Sequence, residues 1–357
     1  MKTGMIVAIC LAALLVAGGA AVIINNQNGN GEDTGRTITV KDTLGNDVTV
    51  ELPIKRIATV NTHAAEFLEI VGASDLVVAT DDSTIGIFPE IYGECVDLGS
   101  YKTPNGELAA DAGVQLLICQ SSSRSMSAET ESALMKNYGI KVLRLDCYGS
   151  NMLDDVTELL KIVDSSDADD KFDAYKAKRN GIISKIADAA SSLTGEPGYL
   201  FMFATMNSFY NTRSELNTAV SSIHGKDALT TIMGGNIGTS VTCKPSKESI
   251  LDYDRENGID YVFIRSIEGK NMDEAYNKLV KYMDDLDLDR PVKEGRIFVI
   301  ETDVLAGAKD YVGLVCIANI FGAEIDMTPQ QLIEDYNSSF GFSETYDVLM
   351  KEYAAIA

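Results

Sequence analysis

The sequence has few of the side chains that capture bare transition-metal ions. Its 357 residues include only two histidines, His63 and His224. Protein sites for such ions usually need several imidazole ligands. The six cysteines show no Cys-x-x-Cys spacing, which argues against a zinc or iron–sulfur site. We therefore expect no resident metal ion and no cofactor, and we expect buried free thiols rather than a disulfide between the strand-end residues Cys119 and Cys147.

Positive charge is also scarce. Lysine and arginine number 30 against 53 acidic residues, which gives a net charge of −23. A surface this acidic repels phosphate backbones and anionic lipid headgroups. We therefore expect no nucleic-acid partner, although acidity alone does not identify a ligand.

Catalytic signatures are missing as well. The sequence contains no G-x-S-x-G, no H-E-x-x-H, no Walker lysine loop and no G-x-G-x-x-G. The run HAAE at residues 63–66 is only half of a metal-binding motif. The absence of these motifs favours a binding protein over an enzyme.

The N-terminus carries an unbroken apolar run of 21 residues, 4–24. As a helix this run would reach about 30 Å, the thickness of a bilayer's hydrocarbon core. Aliphatic residues at 22–24 follow the small ones, which favours an uncleaved membrane anchor at 1–24 over a removed signal. Both alternatives place the rest of the chain outside the cytoplasm. Residues 25–36 contain no apolar side chain and predict a flexible tether.

After the tether the pattern is that of an α/β protein. Residues 37–52 alternate in the β manner around a turn and predict a hairpin. Short apolar runs then alternate with helical stretches, which implies parallel sheets with strands buried on both faces. The predicted strands are 56–60, 76–80, 114–119, 141–146, 198–205, 259–264 and 296–301. The predicted helices are 64–72, 127–138, 152–163, 217–232, 246–255, 272–286, 310–321 and 328–353.

One stretch differs from this alternation. Residues 168–193 place apolar side chains at helical spacing and contain no strand pattern. We predict one long rigid helix that joins two parallel-sheet α/β lobes. The predicted divisions are 1–24 for the anchor, 25–36 for the tether, 37–164 for the N-terminal lobe, 165–194 for the connecting helix and 195–357 for the C-terminal lobe.

The two halves repeat one local pattern. Residues 104–118 and 245–264 each run from Pro-x-x-Glu through a helical stretch to a glycine and an apolar strand. Glu107 precedes its glycine by six residues and Glu248 by ten, which implies about one extra helical turn in the second half. Two lobes of similar construction account for the repeat.

Seven segments have a specific order and spacing: TVKDTLGNDVTVELPIKRIATV, THAAEFLEIVGASDLVVATDD, LGSYKTPNGELAADAGVQLLI, IMGGNIG, PSKESILDYDRENGIDYVFI, KEGRIFVIETDV and TPQQLIEDYNSSFGF. Together they resemble the substrate-binding proteins of ABC importers for ferric siderophores, haem and cobalamin. The resemblance covers roughly residues 37–340, and it implies two α/β lobes joined by a single rigid helix.

The resemblance implies partners as well as a fold. In that family one surface glutamate on each lobe docks into arginine pockets of the permease dimer, whose ATPase supplies the energy. Glu107 and Glu248 stand at the corresponding positions of this sequence. The alternative is a pair of ordinary carboxylates, each favoured by the dipole of the helix that it begins.

A ligand is expected where the two lobes face each other, because parallel α/β sheets bind ligands beyond the carboxyl ends of their strands. His63 stands where the family has the serine that caps the first helix, and it could bind a metal complex. Arginines at strand ends could clamp the carboxylates or catecholates of an anionic chelate. The predicted ligand-binding residues are His63, Tyr101, Arg124, Tyr148, Met206, Tyr210, Arg265 and Tyr311.

The sequence therefore predicts a binding protein, anchored on the extracytoplasmic face of the membrane, that passes a metal chelate to an ABC importer. A ferric siderophore is favoured, with cobalamin and haem as alternatives, because an intact chelate already supplies most of its metal's ligands. A surface receptor or sensor without transport is the alternative from another class.

Overall fold

The computed structural model describes residues 35–121, 125–203, 208–212, 214–237, 242–266, 294–344, 346 and 349–352, and the single residues 276, 282, 286, 288, 291 and 293. The predicted anchor at 1–24 and nearly all of the predicted tether lie outside these residues. Within them, no helix has both the length and the apolar character needed to cross a membrane.

The described chain begins with the predicted hairpin. Strands β1 (Arg36–Lys41) and β2 (Asp47–Leu52) pair antiparallel. The Asp42 carboxylate accepts the backbone N–H groups of Leu44 and Asn46 at 3.0 and 2.7 Å and so holds the turn. Apolar and polar residues alternate along both strands, so one face of the hairpin is buried against the core of the first half.

The first sheet has five strands in the order β5-β4-β3-β6-β7, and all neighbouring pairs are parallel. This confirms the parallel sheet predicted for the first half. The strands are β3 (Ile57–Thr59), β4 (Val77–Thr80), β5 (Val96–Asp97), β6 (Leu116–Cys119) and β7 (Lys141–Arg144). The helices are α1 (Thr62–Ile70), α2 (Asp82–Ile87), α3 (Pro89–Tyr92), α4 (Gly106–Asp111), α5 (Ala128–Tyr138) and α6 (Met152–Val163).

The predicted long helix is present as α7, Ser166–Ala190, and runs unbroken for 25 residues. Its first half places Phe172 and Tyr175 in the core that surrounds the first sheet. Its second half places Ile182 and Ile186 in a core of the second sheet. One continuous helix therefore packs into the cores of both halves. We call the half before α7 the first lobe and the half after α7 the second lobe.

The second sheet is mixed. Its strands follow the order β11-β9-β8-β12-β13-β14, with β10 paired to β8. β8, β10, β12 and β13 pair in parallel, whereas β9, β11 and β14 join antiparallel, so the predicted parallel sheet is right at the centre and wrong at the edges. The strands are β8 (Gly198–Met202), β9 (Phe209–Tyr210), β10 (Lys226–Asp227), β11 (Thr242–Cys243), β12 (Tyr261–Arg265), β13 (Ile297–Ile300) and β14 (Met350–Glu352).

Two helix predictions in the second lobe are wrong. The predicted helix at 217–232 is divided into α8 and α9, because His224 takes a left-handed conformation (φ 67°) and β10 follows it. The predicted helix at 328–353 ends at Phe340, where Gly341 caps it with φ 80° before the chain returns as β14. Most of the predicted helix at 272–286 lies outside the described residues. The helices are α8 (Glu215–Ser221), α9 (Ala228–Ile232), α10 (Lys247–Asn257), α11 (Asp310–Ile320) and α12 (Pro329–Phe340).

The two lobes share a buried ion cluster. Lys309 precedes α11 and is 2% exposed, yet its ammonium group binds the carboxylates of Glu66 on α1 and of Glu344 after α12. Tyr336 of α12 donates its hydroxyl proton to the same Glu66 at 2.6 Å. A charge this deeply buried is tolerated only because it is paired and hydrogen-bonded.

We predict that Lys309→Met lowers the free energy of unfolding by about 3–5 kcal/mol, because two buried carboxylates lose the cation that they share. The matched control is Lys161→Met, which breaks the half-exposed pair with Glu158 and should cost about 1 kcal/mol or less. Denaturant unfolding of both variants measures the difference. Equal losses in the two variants would show that the buried cluster does not stabilise the fold.

Candidate functional site

The loops after β3 and β7 are tied together by Asn61. This residue caps α1, since its side-chain oxygen accepts the backbone N–H of His63 at 3.1 Å. Its amide nitrogen donates to the carbonyls of Leu145 and Asp146 at 2.7 and 3.1 Å. The prediction that His63 occupies the capping position is therefore wrong. The better cap, two residues earlier, leaves the imidazole outside the capping interaction.

His63 lies between the two lobes. Its ring is half-buried and lies 5.1 Å from the ring of Tyr148, which follows β7. On its other side is Gly307 of the second lobe, whose φ is +64°. A Cβ atom at Gly307 would stand 2.4 Å from the His63 Nδ1, so only glycine allows this approach.

The surroundings of His63 favour its neutral form. Burial is the largest effect, and the positive charges of Arg265 and Lys309 add to it, so that the pKa of His63 falls from 6.5 to about 3. The imidazole is therefore neutral at physiological pH. In this form one ring nitrogen donates a hydrogen bond and the other accepts one or binds a metal.

Arg265 ends β12 and supplies positive charge from the second lobe. Its Nε donates to the Thr302 hydroxyl at 3.1 Å, and its Nη1 donates to the Tyr210 hydroxyl at 3.3 Å. Tyr210 is itself held between the rings of Phe201 and Phe203, each 5.6 Å away. The guanidinium is thus oriented by packed neighbours before any ligand arrives.

A cavity of about 370 Å³ opens between the lobes. Its first-lobe wall includes Phe88 and Glu90, and its second-lobe wall includes Asp303, Phe342 and Tyr346. The volume is at the lower end of small-molecule sites. The lining of this cavity does not include His63, Tyr148 or Arg265. The two lobes meet at the candidate site through His63, which lies against Tyr148 of the first lobe and Gly307 of the second.

The other predicted ligand residues have different positions. Tyr101 is half-buried in the turn after β5, at the opposite edge of the first sheet from β7. Tyr311 and Tyr210 are 1% and 5% exposed in the core of the second lobe. This burial corrects the prediction of Tyr311 as a ligand contact, and the hydroxyl of Tyr210 orients Arg265 instead of offering a surface to a ligand. Arg124 and Met206 lie outside the described residues.

The predicted docking glutamates occupy matching local positions. Glu107 is exposed in the first turn of α4, where the Asn105 side chain caps the helix. Glu248 is exposed in the first turn of α10, where the Ser246 side chain does the same. α4 has 6 residues and α10 has 11, so the spacing difference in the sequence is a difference in helix length.

The cysteine prediction is confirmed. All five cysteines among the described residues are free, and four of them are buried. Burial raises the pKa of Cys119, despite the opposing charge of Arg144, to about 12 and that of Cys316 to about 12. These thiols are therefore protonated and unreactive at neutral pH.

Sequence reasoning missed Gly307, Thr302 and Lys309, which shape the second-lobe side of the site. Glycine, threonine and lysine in a loop carry no periodic signal that separates them from surface residues. The capping role of Asn61 did have a signal, since Asn is a preferred cap and Asn61 directly precedes the first helical residue.

No protein-family model matches the sequence, and a search of curated proteins found no match. Solved structures match the chain over most of their length. A periplasmic haem-binding protein from Pseudomonas aeruginosa has a TM-score of 0.60 at 18% identity, covering 77% of this chain and 96% of that one. The Helicobacter pylori protein CeuE with Ni(II) bound has a TM-score of 0.63 at 15% identity, covering 86% of this chain and 97% of that one. The TroA-like periplasmic binding protein FepB from Veillonella parvula has a TM-score of 0.62 at 13% identity, covering 88% of this chain and 99% of that one.

The likeness establishes the class of fold. The chain has the fold of the TroA-like periplasmic binding proteins, which confirms at the level of the fold the resemblance predicted from the sequence. Identities this low show the fold alone. Any ligand and partner of this chain must therefore be argued from its own residues.

We predict that acid destabilises the protein more than it destabilises a His63→Gln variant. The unfolded His63 binds a proton below pH of about 6.5, whereas the folded one does so only near pH 3. Stability is therefore lost as the pH falls through this window, by up to about 2 kcal/mol at a pH of about 4.5 for a half-buried ring. The gap between the two unfolding curves measures this loss.

The control is His224→Gln, which removes the exposed histidine and keeps His63. This variant should show the same acid sensitivity as the unaltered protein. If His63→Gln shows it too, the folded state does not hold His63 in its neutral form.

Proposed function

We propose that this protein is an extracytoplasmic substrate-binding protein that captures an anionic metal chelate between its lobes and delivers it to an ABC importer. The observation that carries the proposal is the position of Arg265. Arg265 ends a central strand of the second lobe, where its guanidinium donates to Thr302 at 3.1 Å. The turns that follow Thr302 bring Gly307 against His63 of the first lobe. One ligand can therefore contact both lobes.

The chemistry of this site suits an anion with aromatic or flat surfaces. Arginine forms forked hydrogen bonds with carboxylate and catecholate oxygens and stacks on flat groups. Tyr148 and the neutral His63 add ring faces and hydrogen-bonding atoms from the opposite side. In a chain whose net charge is −23, such a local positive charge directs an anionic ligand to this place.

A metal chelate fits better than a bare metal ion. The chain has two histidines in total, too few for the clusters that usually hold bare transition metals. A chelate brings most of its metal's ligands with it, so that the protein needs only to recognise the complex. Among chelates, a ferric siderophore with carboxylate or catecholate groups matches the arginine and tyrosines most directly.

We predict that ferric catecholate or carboxylate siderophores raise the melting temperature of the protein, and that Arg265→Gln lowers their affinity about tenfold or more. Charged hydrogen bonds of this kind contribute about 1.5–3 kcal/mol. The control is Arg255→Gln, which removes an exposed arginine of α10 and should leave the affinity unchanged. Thermal-shift and calorimetric titrations with siderophores, cobalamin, haem and free metal ions make the comparison.

If only cobalamin or haem stabilises the protein, the ligand is that chelate rather than a siderophore, and the class of importer stays the same. Stabilisation by a free metal ion alone would contradict the proposal. Equal affinities of Arg265→Gln and Arg255→Gln for the chelate would place the ligand away from Arg265.

Delivery to a permease is the second part of the proposal. Glu107 and Glu248 are exposed at the starts of corresponding helices in the two lobes. A carboxylate on each lobe lets an arginine pocket on each permease subunit fix the orientation of the complex. An importer could then sense both lobes at once.

We predict that the double variant Glu107→Ala with Glu248→Ala binds the chelate normally but no longer supports its uptake by cells. The control, Glu94→Ala with Glu256→Ala, removes two other exposed carboxylates and the same net charge. Uptake of a labelled chelate compares the two. Normal uptake in the Glu107/Glu248 variant would contradict the assignment of these residues to docking. Chelate binding without uptake, in the unaltered protein as well as in the variants, would favour a receptor that does not transport.

A further inference from the structure

The first helix meets the second lobe at two neighbouring points. His63 and Glu66 are three residues apart on α1, so their side chains leave the same face of the helix. Both meet the short 3-10 turn Gly307–Lys309 of the second lobe. Gly307 lies against the His63 ring, and Lys309 binds the Glu66 carboxylate.

The Glu66 end of this contact is enclosed. Glu66 is 3% exposed and Lys309 2%. The Lys309 Nζ lies 5.8, 5.0 and 6.0 Å from the ring centres of Phe88, Tyr336 and Phe342. The charges of Glu66 and Lys309 are thus largely removed from solvent, and their electrostatic attraction is stronger than at a surface.

The partners in this contact are divided unequally between the lobes. Lys309, Glu344 and Tyr336 all follow α7 in the chain, and the Lys309–Glu344 bond of 2.8 Å lies within that half. Glu66 is the charged group that the first lobe contributes to these bonds. Removing Glu66 therefore breaks this ionic link between the lobes and leaves the second-lobe pair intact.

The middle residue of the turn is held from the connecting helix. Tyr175 of α7 donates its hydroxyl proton to the Ala308 carbonyl at 3.0 Å. Ala308 itself is fully buried and packs into the first-lobe core. The turn therefore projects from the second lobe into the first, and its two ends lie on Glu66 and on His63.

We propose that Glu66 is a positioning residue of the candidate site: through Lys309 it holds the Gly307–Lys309 turn against His63 and so sets the separation of the two lobes at this histidine. The inference deepens the proposed function, because His63 belongs to the proposed site. Its test uses no ligand, so that it can fail or succeed independently of chelate binding.

The direction in which the pKa of His63 changes distinguishes positioning by Glu66 from the effect of its charge alone. Loss of a nearby carboxylate removes negative charge, which by itself disfavours protonation and lowers the pKa of His63. Retreat of the Gly307–Lys309 turn would instead let water reach the imidazole, which raises the pKa towards its ordinary value. A rise after removal of Glu66 therefore reports movement of the turn.

The experiment follows the histidine ring signals by NMR between pH of about 4.5 and 7.5 in the protein and two variants. Only His63 and His224 contribute such signals, and a His224→Gln form assigns them. Glu66→Ala removes both the charge and the hydrogen-bonding group. Glu66→Gln removes the charge but keeps an oxygen that can accept from Lys309 and Tyr336.

We expect the His63 signals of the unaltered protein and of Glu66→Gln to stay in the neutral form throughout this range. In Glu66→Ala we expect them to titrate within this range with a midpoint of about 5 or higher, which is about two pH units above the value of about 3 in the unaltered protein. The same titration in both variants, or none in Glu66→Ala, would overturn the proposal.

If Glu66→Ala does not fold, a milder variant tests whether the cluster positions His63. Tyr336→Phe removes the hydroxyl that donates to Glu66 at 2.6 Å and changes no charge at neutral pH. A raised pKa of His63 in Tyr336→Phe supports the proposal. An unchanged pKa in this variant, with Glu66→Ala unfolded, shows that the cluster stabilises the fold without positioning the site.

Discussion

The relation between the two lobes depends on a buried charge. Lys309 brings an ammonium group from the second lobe into a space walled by aromatic rings, where the carboxylate of Glu66 on the first helix binds it. Neither charge could remain there alone, because desolvation of an unpaired ion costs several kcal/mol. The pair therefore requires both lobes to be present in one arrangement, and the unbroken helix α7 packs into the cores on either side of it.

This arrangement has a consequence for binding. A site whose two walls are already fixed loses little freedom when a ligand enters, so more of the contact energy appears as affinity. Arg265 is oriented by Thr302 and Tyr210, and His63 is covered by Gly307. Small movements between the lobes would keep Glu107 and Glu248 at a nearly constant separation, as the proposed docking to a transporter requires.

The sequence predicted those features that follow from local patterns. Buried apolar runs located β3, β6, β8, β12 and β13, and helical spacing located α7. The prediction failed where tertiary contacts determine the structure. The final helix stops before Gly341 because the chain returns to add β14 to the sheet, and no apolar pattern in the sequence indicates that return.

The candidate site could be proposed from the sequence only in part. Strand ends are readable, so His63, Tyr148 and Arg265 could be chosen by their place after a strand. Burial of a helical tyrosine is not readable from one sequence, and Tyr311 was therefore misplaced. The residues that bring the lobes together, such as Gly307 and Lys309, are recognisable only once the two halves are seen in contact.

The most direct test of the central claim is to locate the bound chelate by the paramagnetism of its iron. Ferric siderophore should broaden the NMR signals of the His63 ring, whereas the diamagnetic gallium complex should not. The His224 signals should stay sharp with both, because His224 lies beside β10, which pairs with the amino end of β8, away from the strand ends that form the site. Broadening of neither ring at saturating ferric chelate, or of His224 in preference to His63, would contradict a binding site between the lobes.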